Sequence, residues 1–280
     1  MATELATKYL PYVDELFAQE SKKSILTNND FSFDGAKTVK LYKVNTAKMN
    51  DYGRNGATGE NWSRYGEVKD LEATTETAVL TRDRSFTFAI DALDENQTCG
   101  SLSGASALAR QLREVVVPEV DDYTYGVMTA GAGFKPDAVQ LTADNIYDEI
   151  IKASAALDNA LVPETERVLT VTPDVYLLMK KCKNIVMETE VGEEMRIKGV
   201  ISNLDGAAVV KIAASRLPEG FGFMLSHKSS CCAPTQLEDY NEHRNPPGIN
   251  GTLVEGRIVY DAYVFENKKK GIYYQSVPTT

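Results

Sequence analysis

The chain has 280 residues, with 30 Lys and Arg against 40 Asp and Glu, for a formal net charge of −10. That length suits one or two domains at about 150 residues each, and 43% hydrophobic with 25% charged residues is ordinary for a folded protein. No apolar run reaches the roughly 18 residues of a membrane helix. The acid excess argues against a sequence-reading DNA-binding protein, while leaving room for a container of nucleic acid.

The N-terminus, MATELATKYLPYVDELFAQESKK, is amphipathic and acidic, unlike a secretory signal or transit peptide. Leu10, Val13, Leu16 and Phe17 fall on one face of a helix predicted over Lys8–Lys23, with Pro11 in its first turn. Thr38–Val44 (TVKLYKV) alternates as a strand does. Asp51–Glu67 (DYGRNGATGENWSRYGE) then shows no periodicity. It holds Gly53, Gly56, Gly59 and Gly66 and the single tryptophan, Trp62. Unpatterned stretches this long are uncommon in compact domains and are usually functional or disordered. Tyr52, Trp62 and Tyr65 argue against a linker. Glu76–Asp91 follows as a predicted long strand with Phe86, Phe88 and Ile90 on one face. The two strands predict a hairpin with an irregular tip, marginal by itself in water.

Gly100–Gly131 carries the clearest helix, capped by Ser101 or Ser103. Ala105, Leu108, Ala109, Leu112, Val115 and Val116 form its stripe, and Arg110, Arg113 and Glu114 point elsewhere. Pro118 is expected to kink it near Val117. The pattern resumes at Val120, Tyr123 and Val127, which favours one kinked helix ended by Gly131 and Gly133. Thr142–Leu161 reads as a second amphipathic helix, with Asp144, Asp148 and Glu149 near its N-terminus. Arg167–Thr172 is a strand, and Thr172-Pro173 opens a helix running to Lys183. Gly199–Asp205 reads as a loop, and Val209–Ile212 and Phe221–Leu225 as strands. Thr252–Gln275 reads as a hairpin turning at Asn267–Gly271.

Chemistry is sparse. Cys99, Cys182, Cys231 and Cys232 form no C-x-x-C pair, and reduced thiols are expected. His227, Cys231 and His243 are the one constellation a soluble α/β enzyme could use, but they match no zinc or nucleophile spacing. No P-loop occurs, and Gly131-Ala132-Gly133 follows a helix instead of a strand. Asp91, Asp94 and Glu95 lack calcium-loop spacing. No catalytic, cofactor-binding or metal residue is assigned, and no enzyme activity is expected.

The order of elements carries a resemblance. An arm helix, a long hairpin, a long helix reading VVVPEVDDYTYGVM, an α/β region with RVLTVTPDVYLLMKK and a final GRIVYDAYVFENKKKGIYY together resemble the major capsid protein of tailed bacteriophages, the Hong Kong 97-type fold. The resemblance implies an α+β chain with four parts: an N-terminal arm (1–37), an extended E-loop hairpin (38–91), a peripheral domain built on a spine helix (92–135 and 251–280), and an axial domain (136–250). The Gly199–Asp205 loop would face the capsomer axis. It also implies self-assembly through pentamers and hexamers into an icosahedral shell enclosing double-stranded DNA, in a virion assembled in the host cytoplasm. A portal and a separate scaffolding protein are the expected partners, the short arm implying either that scaffold or a chain in its mature form, with no membrane and no cofactor. Tyr52, Arg54, Glu60, Trp62, Arg64, Tyr65 and Glu67 would make inter-subunit contacts at the loop tip. Arg110, Arg113 and Glu114 would lie on the spine helix. The same fold serves encapsulin-type nanocompartment shells, the alternative within the fold. Lys48, Lys69 and Asn267 could in principle weld subunits, but no carboxylate is identifiable to catalyse the bond and no cross-link is predicted.

Overall fold

The computed structural model describes residues 20–28, 38–44, 46–56, 63–68, 70, 73–97, 103–182 and 200–278. The expected arm helix falls outside them except at its end, where α1 (Lys23–Leu26) buries Leu26 completely. The chain divides into two compact units, residues 35–80 and the remainder.

The smaller unit is an antiparallel hairpin of β1 (Thr38–Val44) and β2 (Ala73–Val79), in register from Thr38↔Val79 to Val44↔Ala73. The predicted strand Glu76–Asp91 is not continuous. It ends with β2 and restarts as β3 (Arg82–Asp91). A distant partner intervenes: the Thr81 N–H goes to the Asp261 carboxylate at 2.8 Å instead of to a strand ladder.

In the larger unit, α2 (Ala92–Gln97) leads to the long helix. Its first part, α3 (Gly104–Gln111), is capped by the Ser103 hydroxyl, which accepts from the Ser106 N–H. Leu112–Val116 forms a π turn in which the Val117 N–H reaches back five residues to the Leu112 carbonyl. The helix continues as α4 (Val117–Gly131). Pro118 is therefore accommodated in the first turn of a new α segment, where a missing N–H costs least. The expected single helix is present, and a widened turn absorbs its proline. Gly133 follows because a Cβ there would stand 2.5 Å from the Lys269 carbonyl.

Next come α5 (Ile146–Asn159), β4 (Arg167–Val171), α6 (Pro173–Lys181), β5 (Val200–Leu204), β6 (Ala207–Lys211), β7 (Phe221–His227), β8 (Cys231–Cys232), β9 (Thr235–Arg244), β10 (Gly251–Tyr260), β11 (Tyr263–Val264) and β12 (Ile272–Ser276). A five-stranded sheet has the order β12-β7-β4-β6-β5, with β4 and β6 parallel. It is buried on both faces. Leu169, Val171, Val209, Phe223, Leu225 and Tyr273 meet Ile146, Ile150 and Leu157 of α5 and Val175 and Met179 of α6. The alternate residues Val168, Val210, Met224 and Ile272 meet Tyr125 and Met128 of α4, and Leu26. Two-sided burial explains why RVLTV and FGFMLSH read as near-continuous apolar runs.

A three-stranded sheet has the order β3-β10-β9. The first half of α4 packs on it, Val120 against Ile258 and Tyr260. The long helix thus packs on both the five-stranded and the three-stranded sheet.

Two expectations are corrected. The C-terminal hairpin does not form: β10 pairs with β3 and β9, while β12 pairs with β7. Gly199–Asp205 is not a loop, because Val200–Leu204 is β5, paired to β6 through a tight turn at Asp205-Gly206, both with positive φ (49° and 74°).

Candidate functional site

The small unit has an unusual surface. Eleven large apolar side chains are exposed among the described residues, and seven of them belong to residues 35–80: Tyr42, Val44, Met49, Tyr52, Tyr65, Val68 and Val79. Strand alternation arranges three of these. Tyr42 and Val44 stand on one face of β1, and Val79, opposite Thr38, stands on the same face of β2. Ala73, Thr75 and Thr77 of β2 lie between them, and Lys40, opposite Thr77, is the one charged side chain of β1 on that face. The other face is tied internally, with Lys43 and Glu76 forming a 2.8 Å ion pair and Ala78 buried. A two-stranded ribbon that leaves Tyr42, Val44 and Val79 in water on one face is marginal by itself and gains by covering them.

Beyond the strands the chain is held by local bonds. The Gly53 N–H donates to the Arg64 carbonyl at 2.8 Å, which draws the two sides of the loop together. The approach is so close that a Cβ on Gly53 would lie 2.2 Å from the Gly56 carbonyl oxygen. Asn50 Nδ2 donates to the Tyr65 carbonyl at 3.3 Å. The Tyr52 and Tyr65 rings meet edge to face with centroids 5.0 Å apart. Of the residues expected at the tip, Tyr52, Arg54, Arg64, Tyr65 and Glu67 are exposed. Glu60, Trp62 and Lys69 lie outside the described residues. Sequence reasoning missed Tyr42, Val44 and Val79. Their i, i+2 spacing on one strand face was the available signal.

Arg110 lies in the last turn of α3, and Arg113 and Glu114 lie in the π turn. Arg110 is only partly exposed, and its Nε and Nη2 are shielded from water without an acceptor among the described residues.

Within the larger unit, one buried carboxylate gathers several donors. Asp261, 3% exposed, accepts from the Thr81 N–H at 2.8 Å, the Thr81 hydroxyl at 2.9 Å, the Tyr123 hydroxyl at 2.7 Å and the Ala262 N–H at 2.8 Å. Burial pushes its carboxyl up. The bonds from Tyr123, Thr81 and Ala262 outweigh burial and hold it below the usual range. A second buried carboxylate, Asp121, accepts from Arg216 Nη1 at 2.9 Å and from the Ser21 hydroxyl at 2.5 Å.

The histidine–cysteine constellation does not form a reactive centre. Cys231 is fully buried, and burial lifts its thiol to about 12, which leaves it protonated and unreactive. His227 Nδ1 is occupied by the N–H of Ser229 at 3.2 Å, and burial lowers its pKa. His243 is half-exposed on β9, 3.5 Å from Glu255. Among the described residues no three His, Cys, Asp or Glu side chains gather to hold a metal ion.

No protein-family model and no curated protein matches the chain. Solved structures do. The chain is similar to one from Mycobacterium phage Che8, with a TM-score of 0.73 and 20% identity over 98% of this chain and 96% of that one. It is similar to the capsid structure of cyanophage P-SCSP1u, with a TM-score of 0.75 and 10% identity over 99% and 93%. It is also similar to the asymmetric unit of the mature capsid of bacteriophage PhiM1, with a TM-score of 0.70 and 12% identity over 100% and 93%. Likeness at such low identity, sustained over nearly whole chains, establishes the fold: it is the Hong Kong 97-type capsid fold.

Proposed function

We propose that this chain is a major capsid protein, a coat subunit that self-assembles through pentamers and hexamers into an icosahedral shell around phage DNA. The observation that carries the reading is the concentration of exposed large apolar side chains on residues 35–80. Burying side chains such as Tyr42, Val44 and Val79 on another copy would contribute about 1.5–3 kcal/mol each before the costs of association. One copy offering the hairpin and the next receiving it is a heterologous contact, the kind that closes into rings. In this reading the E-loop is the 35–80 hairpin, and Tyr52, Arg54, Glu60, Trp62, Arg64, Tyr65 and Glu67 touch a neighbour. The long helix and three-stranded sheet form the peripheral part, and the five-stranded sheet with α5 and α6 forms the axial part. Exposed charges at the tip fix register more than they add affinity. A scaffolding protein and a portal complete the set of partners, and the virion is the place of function.

Deleting Gly53–Gly66 tests the reading. The expected result is a folded subunit by circular dichroism that no longer assembles. Normal assembly without those residues would remove the hairpin from the account.

A further inference from the structure

Two lysines meet at one ring on this acidic chain, and a third bonds to the backbone of one of them. Lys180 of α6 holds its Nζ 4.8 Å from the centre of the Tyr176 ring, and Lys211, the last residue of β6, holds its Nζ 4.7 Å from the same centre. The two ammonium groups therefore lie within 9.5 Å of each other, the sum of those distances. Lys22 joins them from the N-terminal segment, its Nζ donating to the Lys211 carbonyl at 2.7 Å. None of the three forms an ion pair among the described residues. The nearby Asp121 carboxylate is already matched by Arg216 at 2.9 Å.

Ordinary explanations cover only part of this. The C-terminal end of α6 favours Lys180 and its neighbour Lys181. It does not account for Lys22 or Lys211, which come from elsewhere in the chain. The crowding also has a cost: burial first, then the charges of Lys211 and Arg216, lower the Lys22 pKa. Like charges held together without an ion partner among the described residues, on a chain of net charge −10, are what an anion site requires.

We propose that Lys22, Lys180 and Lys211 form a phosphate-binding foothold for the backbone of duplex DNA. This rests on the shell reading, which places such DNA against the subunit. Tyr176 is only 5% exposed, so it supports the ammonium groups and offers no stacking face for a base or anchor for a peptide. What remains is a set of point charges, which suits phosphate contacts without sequence preference. The overall charge keeps such binding weak and confined to low salt.

Fluorescence anisotropy tests the foothold. The full-length protein and the K22Q/K180Q/K211Q variant are titrated against a labelled duplex of about 20 base pairs and, separately, a polyglutamate peptide, from about 50 to 200 mM salt. The wild type is expected to bind the duplex with log K falling against log salt by about 0.9 for each phosphate engaged, so the variant should lose roughly 2.7 of that slope. Absence of duplex binding at the lowest salt, an unchanged slope in the variant, or binding of polyglutamate in place of DNA would each overturn the proposal. Should the triple variant misfold, K180Q alone, at an exposed position, should lower the slope by about 0.9. Assembly is scored separately by microscopy. DNA binding without shells would leave the foothold standing and count against the shell reading, and shells without DNA binding the reverse.

Discussion

Asp261 and Thr81 are joined by two hydrogen bonds, from the Thr81 N–H at 2.8 Å and the Thr81 hydroxyl at 2.9 Å, both to Oδ2. Thr81 is the first residue after the 35–80 unit. Both residues belong to the larger unit, and the bonds fix Thr81 within it, where the Thr81 N–H is taken away from a strand ladder. Replacing Asp261 by Ala would strand the Thr81 and Ala262 N–H groups and the Tyr123 hydroxyl. The expected loss is about 2–4 kcal/mol in urea unfolding of the subunit.

The same carboxylate sets an acid limb. Its folded pKa is depressed relative to the unfolded value of about 3.9. Its contribution is therefore fully present above that value and is lost as pH falls through the folded pKa. Urea midpoints measured at stepped pH should fall more steeply below about pH 4 in the wild type than in Asp261→Asn. Parallel curves would remove Asp261 from the acid limb.

The Asp121–Arg216 pair, with side chains 1% and 8% exposed, is a buried ion pair. Arg216→Met alone leaves the buried Asp121 carboxylate with the Ser21 hydroxyl and only the unbonded charge of Lys23, and should cost about 3–5 kcal/mol. Arg216→Met together with Asp121→Leu should recover most of that loss, because neither charge of the pair then remains buried. A double variant as unstable as the single one would mean that packing, not charge, dominates there.

Gly256 of β10 sits beneath two rings. Phe86 of β3 and Tyr240 of β9 meet across it with centroids 6.2 Å apart. A Cβ at residue 256 would stand 2.3 Å from the Phe86 ring and 2.9 Å from that of Tyr240. Gly256→Ala should therefore cost about 1–3 kcal/mol by thermal unfolding. Gly126, whose Cβ would meet nothing within 4 Å, should tolerate alanine and serves as the control.

What the sequence made legible follows from how local each cause is. Thr172-Pro173 carries its own cap and start signal, and α6 begins there, with the Thr172 hydroxyl accepting from the Val175 N–H at 3.2 Å. The stripe through Ile146, Ile150 and Leu157 is a property of one helix, and it was readable. The partner of Ile272–Ser276 is not a local matter: a turn at Asn267–Gly271 suggested β10, but β7 lies where both faces of β12 can be buried. TQLEDYNEHR has little apolar alternation, because β9 lies at the end of its sheet's order and is defined by backbone pairing to β10. The Asp205-Gly206 dipeptide is itself a local hairpin signal, and it forms the β5–β6 turn. At the hairpin, the glycines and aromatics marked the tip. The apolar face through Tyr42, Val44 and Val79 became visible only once the register was known.

Electron microscopy of the expressed full-length protein, alone and with a cognate scaffolding protein, tests the central claim most directly. The account predicts shells, tubes or ring-shaped capsomers, with DNA inside particles recovered from infection. A protein that stays strictly monomeric under all these conditions, with residues 35–80 intact, would contradict it.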